Sequence, residues 1–347
     1  MRVTLLLLAA ALLLVGTAAL TGCRARARDT GQAQAILLRA LTDGQKVPYE
    51  GVKAARLRAP VGGTERARVL MAGDGRSRIE YLDGATAGVT VWDDGRRVWR
   101  AHPHEDLITV APTARLDPAL EQHRRDLVLR NFVPSLNGSE RVAHRAAQII
   151  NLSPRHGGRP WKRLWVDAET GVVLASTDFN GAGQELRSTR FETFARPPAP
   201  PPPGDPRFTP PADLRRRARR QPHAGPLSAE RLSRAVGFPV CMPAYLPAGF
   251  EPGGGYVASC PFCGKPTARM EFTDGLNTIL LLSFAHRCPG EPSQPGDGAG
   301  GEDTVQRRVG NVTCVAVGEL PRAELERILQ SLPGDPSPRP PVAAGRS

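Results

Sequence analysis

Cysteine is the residue type in this chain best placed to do chemistry. Of its six cysteines, five (Cys241, Cys260, Cys263, Cys288 and Cys314) fall after residue 240. Cys260-Pro261-Phe262-Cys263 is a CxxC with an internal proline, the pattern of thiol oxidoreductases, where it opens a helix whose N-terminus stabilises the thiolate. Here Gly253-Gly254-Gly255 precedes it and Gly264-Lys265-Pro266 follows, a loop context that speaks against redox catalysis. Cys260, Cys263, Cys288 and Cys314, with His286 nearby, also offer a thiolate set for zinc. Structural disulfides, the default outside the cytoplasm, come first, zinc second and redox third. An odd number leaves one thiol free or paired between chains. The seven histidines form no zinc-enzyme spacing, and no nucleophile elbow or phosphate-binding glycine loop occurs. The residues therefore indicate no enzyme and no cofactor.

Whether those cysteines pair as disulfides depends on the compartment, and the first segment points to export. Met1–Cys23 reads MRVTLLLLAAALLLVGTAALTGC: one charge at Arg2, an apolar run, small residues, then cysteine. This is the layout of a secretory signal. Leu20-Thr21-Gly22-Cys23 resembles the bacterial lipobox, which makes Cys23 the expected acylated N-terminus. The alternative is an uncleaved anchor, since the run is about long enough to span a bilayer. Export sets nucleic acid aside as a partner for the net charge of +12. An anionic membrane surface, an acidic protein or a mere compositional habit of the genome remains.

The expected organisation is a signal peptide (1–22), a tether (23–29), a folded region (30–195), a Pro/Arg-rich linker (196–226), a second folded region (227–332) and a disordered tail (333–347). PPAPPPPGDP and the run Arg215-Arg216-Arg217-Ala218-Arg219-Arg220 mark the linker as an extended spacer. In the first region Ala33, Ile36, Leu37, Ala40 and Leu41 have helical spacing. Strand signals follow over 49–57, 65–71, 77–82, 89–92 and 97–101. A second helix opens at Asp117-Pro118 and runs to about 130. Further strands are expected over 146–152, 163–166, 172–177 and 184–194, with turns at Thr170-Gly171 and Asn180-Gly181. This is an α+β fold: a large antiparallel sheet with helices packed on one side. The second region is a smaller α+β domain. It has a helix near 228–236, a hairpin joining 268–273 to 276–286 through Asp274-Gly275, a strand over 311–317 and a final amphipathic helix.

Several stretches carry a family resemblance. ERVAHRAAQIINLSP, RLWVDAETGVVL, GQELRSTRF, PYEGV and SRIEYLDG in the first region resemble the RseB/MucB family of periplasmic sigma-E regulators. YLPAGF, FTDGLNTILLLSF and VAVGELPRAELERILQSL resemble its C-terminal domain. The resemblance implies a half-open antiparallel barrel, like that of the LolA/LolB carriers, followed by the smaller domain. It implies a periplasmic regulator that binds a single-span anti-sigma factor and so restrains an extracytoplasmic-function sigma factor, with lipid signals displacing it. The alternative is a lipid or lipoprotein carrier. Either would bury an acylated ligand on an apolar cradle, at about 0.8 kcal/mol per CH₂. Trp92, Trp99, Trp161 and Trp165 all lie in the first region, so a ligand there would sit near at least one indole, unless the four simply pack the core. The lipobox, the long linker and the cysteines depart from the family pattern.

Overall fold

The computed structural model describes residues 29–57, 63–103, 107–113, 118–157, 160–220, 226–259, 265–285 and 303–334. Helix α1 spans residues 29–41 and buries the apolar stripe Ala33, Ile36, Leu37 and Ala40. Six strands then run as a meander: β1 (Tyr49–Leu57), β2 (Gly63–Met71), β3 (Ser77–Tyr81), β4 (Thr90–Asp93), β5 (Arg97–His102) and β6 (Leu107–Pro112). Helix α2 (Pro118–Asn131) carries the chain to a second meander of β7 (Phe132–Val142), β8 (Arg145–Pro154), β9 (Trp161–Asp167), β10 (Val173–Phe179) and β11 (Glu185–Ala195). Strand β11 pairs antiparallel with β1, which fuses the two meanders into one sheet. Its order runs from β6 through β1 and β11 to β7, so the two edges do not meet and the sheet stays open. Helix α2 links one edge strand to the other.

After β11 come a short helix α3 (Ala212–Arg217) and the two-residue strand β12 (Arg219–Arg220), which pairs parallel with β6. The proline-rich stretch expected as a free spacer is thus a strap lying on the first sheet. Pro201, Asp205, Phe208 and Pro210 are buried. The Arg76 guanidinium donates to the carbonyls of Pro201 and Pro202 at 2.7 and 2.6 Å and lies over the Phe208 ring. Proline has no N–H of its own, but its carbonyl is a good acceptor, and a neighbouring arginine suffices to fix the segment.

The second region holds helix α4 (Ala229–Val236), strands β13 (Glu251–Ser259), β14 (Pro266–Thr273), β15 (Thr278–Phe284), β16 (Asp303–Val309) and β17 (Val312–Gly318), and helix α5 (Arg322–Gln330). The five strands form a separate antiparallel sheet. Alternation puts Met270, Leu281, Ala316 and Val305 in one cross-strand row, and α4 and α5 close that face. Ser228 caps α4, and Gly237 ends it in the left-handed conformation.

The expected interior strands are present with small shifts at their ends. No strand is expected from sequence over β6, β7, β13 or β16, and these are border strands. β7, β13 and β16 are edges, while β6 is covered only by two residues of β12. Each edge strand carries an edge device. β7 contains Pro134 and Asn137-Gly138, β13 contains Pro252 and three glycines, and β16 reads DTVQRRV. Gly253-Gly254-Gly255, read as loop, is therefore strand.

The two regions meet where the β14–β15 turn abuts α2. Asn131, the last residue of α2, is buried and donates from Nδ2 to the Gly249 carbonyl at 2.8 Å and the Asp274 carbonyl at 2.9 Å. Gly275 has φ +102°, and a Cβ there would stand 2.6 Å from the Val128 amide nitrogen, so the turn can approach α2 only as glycine. Leu276 packs into the α1 core, and Arg130 pairs with Glu251. We predict that Asn131→Ala, which strands two carbonyls, lowers the stability of the joined molecule by about 1–3 kcal/mol. Urea denaturation should then split into separate transitions for the two regions; an unchanged single transition would contradict this.

Candidate functional site

Strand register assigns every first-region side chain to one of two sheet faces, because directly opposed residues share a face. Glu50, Leu70, Arg78, Trp92, Trp99 and Val110 stand opposite one another from β1 to β6. On the same side of β1, Ala54 continues through Arg190 and Ala175 to Trp165. Trp161 lies four residues before Trp165 on β9 and shares its side. All four tryptophans therefore occupy one face, which also bears the strap.

Trp92 and Trp99 are buried. Trp165 donates from Nε1 to Glu140 at 2.7 Å, and Trp161 stacks on Phe179 with 3.9 Å between centroids. Arg163 lies over both rings of that stack.

The opposite face receives α1. Ile150, Leu152, Leu164 and Val166 pack against Ala33, Ile36, Leu37 and Ala40. Beyond the helix this face is charged. Arg187, Asp178, Lys162, Leu152 and Pro134 form one row across β11 to β7. The buried Asp178 carboxylate takes Lys162 at 2.6 Å and Arg187 at 2.8 Å. Arg187 also reaches Glu319 of the second region at 3.5 Å. Lys53 packs over Phe191, and among the described residues no carboxylate lies within ion-pair distance of it. Burial, then the neighbouring Lys162 and Arg187, push its pKa below the usual lysine value, with Asp178 opposing them.

Sequence reasoning missed this charged row. A signal was present: Lys162 alternates with Leu164 and Val166, so a cation occupies a position whose neighbours on the same face are core residues.

The cysteines are only partly placed. Cys23, Cys260, Cys263 and Cys288 lie outside the described residues, as does His286. Cys241 and Cys314 are free thiols. Cys314 is buried at an inward position of β17 beside Ser283 Oγ at 3.7 Å. Burial raises the pKa of both thiols, which keeps them protonated and poorly nucleophilic. Among the described residues no group of three or more His, Cys, Asp or Glu could hold a metal ion, and no helix is long and apolar enough to cross a membrane.

Comparison with known proteins follows the same division of the chain. Residues 32–202 match the family described as MucB/RseB N-terminal domain. The sigma factor AlgU regulatory protein MucB of Pseudomonas aeruginosa is 28% identical over 271 residues, 76% of this chain and 79% of the relative. The complex structure of Pseudomonas aeruginosa MucA/MucB contains a chain that superposes with a TM-score of 0.59 at 20% identity, over 88% of this chain and 100% of the other. A crystal structure of MucB gives 0.58 at 18% identity, over 87% and 98%. The likeness in fold thus spans both regions.

Lys53 yields a signed prediction. Its folded pKa lies below the unfolded value, so the unfolded chain binds more protons between the two. Stability should rise with pH across that window. Lys53→Met should raise the urea midpoint at pH 7, and the gain should shrink toward pH 10. A lower midpoint at pH 7 would show instead that the ammonium is held by an attraction stronger than its burial cost.

Proposed function

We propose, on the premise that this chain is a MucB/RseB family protein, that it is a periplasmic regulator that binds the extracytoplasmic segment of a single-span anti-sigma factor. One observation carries the reading: the likeness to MucB runs through both regions, and a chain of a MucA/MucB complex structure is covered completely. The reading also suits the charged row. A partner segment crossing from the first region to the second would meet the exposed Arg187, with Lys162 and Glu319 beside it and Asp178 buried beneath. By binding, the protein would shield the anti-sigma factor and so restrain its sigma factor.

The test uses the mature chain and the soluble extracytoplasmic segment of the cognate anti-sigma factor. A stable complex should elute from size exclusion, and Arg187→Glu should weaken it at least tenfold. Absence of a complex would remove the proposal.

Two finer features belong to the same reading. Acylation of Cys23 would hold the regulator at a membrane, within reach of its partner. Palmitate labelling should appear in the wild type and vanish in Cys23→Ala; equal labelling in both would refute the anchor. Displacement by an acylated ligand would be a population shift, requiring that ligand to bind the released form better than the bound one. A disulfide in the second region, expected between Cys260 and Cys263 or from either to Cys241, Cys288 or Cys314, would, with Cys241 and Cys314 free, join two of Cys260, Cys263 and Cys288, in keeping with an exported domain.

A further inference from the structure

Two free thiols of the second region converge on the C-terminal end of α5. Cys314 stands two residues before Ala316 on β17, so its side chain shares the helix-covered face of the sheet. Arg307, directly opposite Cys314 on β16, donates to the carbonyls of Leu329 and Gln330 at 2.6 and 2.9 Å. Cys241 lies on the segment that follows α4. Three residues later, the Ala244 amide donates to the Ser331 carbonyl at 3.2 Å, and the Tyr245 amide donates to Ser331 Oγ at 3.0 Å. Both cysteines thus approach the last turn of α5 from separate elements, and Cys241 packs against the apolar cluster that contains Cys314. The two thiols also sense each other's charge. Burial raises the Cys314 pKa most, the Ser283 hydrogen bond opposes it, and Cys241 raises it further.

The segment bearing Cys241 has a second duty. It runs to Gly249, whose carbonyl accepts one of the two Asn131 bonds at the joint between the regions. The Val240 amide at its start donates to Ser233 Oγ at 2.9 Å, and the Tyr245 hydroxyl in its middle donates to Glu324 at 2.7 Å. From residue 239 to residue 250 it belongs to no helix or strand, so no backbone ladder holds it. Its position rests on side-chain bonds and apolar packing.

We propose that Cys241 and Cys314 are a reserve disulfide, and that closing it staples this segment to β17 and tightens the joint at Asn131. The oxidant is a disulfide-bearing molecule, RSSR, of the kind an exported domain meets. Cys241, the less buried thiol, loses its proton and attacks one sulfur of RSSR, which releases RS⁻ and leaves a mixed disulfide on Cys241. Cys314 then gives up its proton, attacks the Cys241 sulfur and releases the second RS⁻. Two protein thiols become one disulfide, two electrons reduce the oxidant, and the two protons leave on two RSH. The exchange is slow at neutral pH because burial keeps both thiols protonated, and it quickens as pH rises. With Cys241 and Cys314 joined, the odd thiol of the five falls among Cys260, Cys263 and Cys288. The device holds whichever partner the protein binds.

The natural chain from residue 24 onward is incubated with oxidised glutathione and digested without reduction by trypsin and chymotrypsin. Cleavage after Tyr245 parts Cys241 from Cys260, and cleavage after Arg308 parts Cys288 from Cys314. A peptide pair joining Cys241 to Cys314 is expected, absent in Cys241→Ser and lost with dithiothreitol. Its rate of formation should rise about tenfold from pH 7 to pH 8, with the thiolate fraction. In the oxidised chain, hydrogen exchange of residues 245–250 and of the last turn of α2 should slow at least threefold. The triple variant Cys260→Ser, Cys263→Ser, Cys288→Ser should show the same bond and the same slowing, which sets the other cysteines aside as its cause. Only a glutathione adduct on Cys241, a bond from Cys241 to another cysteine, or no reaction would overturn the pairing. A Cys241–Cys314 bond that leaves exchange around Asn131 unchanged would overturn its hold on the joint.

Discussion

The joint between the two regions is centred on one buried amide. Asn131 sits at the end of α2, where the chain passes into β7, and its Nδ2 joins carbonyls from two separate turns of the second region. A side-chain amide suits the task because its NH₂ group carries two donors. The close packing of Gly275 on α2 makes those bonds possible, and Leu276 adds apolar contact beside them. Because α2 also bridges the two edge strands of the open sheet, its position fixes both the first region's shape and the second region's placement. The Arg187–Glu319 contact, and hence the charged row shared by the regions, follows from that placement.

Much of the fold was legible because interior strands and amphipathic helices obey simple periods. Ala33, Ile36, Leu37 and Ala40 announced α1, and Asp274-Gly275 announced the hairpin that docks on α2. The border strands escaped for a physical reason. A strand that must resist pairing with another chain carries the proline, glycine and charge that otherwise signal a loop, as Pro134, Gly253-Gly254-Gly255 and Arg307-Arg308 do. The strap escaped because proline density describes a chain's stiffness and says nothing about whether Arg76 will capture its carbonyls.

Site residues were legible in type more than in place. Tryptophans were identified as candidate ligand contacts, but which side of the sheet they face depends on pairing between strands far apart in sequence. Register puts all four opposite α1, on the strap's side. The face against α1 carries the Lys162–Asp178–Arg187 row beyond the helix. The buried charges there are held by paired geometry, which a single sequence does not display.

The docked strap also sets a leash. With Arg219–Arg220 paired to β6, only residues 221–226 separate it from Leu227, the start of the second region. Fully extended, that span reaches roughly 25 Å. Were the strap to peel away, the free chain from 196 to 226 would reach on the order of 100 Å. Whatever fastens the strap therefore decides how far the second region can swing out once the Asn131 bonds are broken.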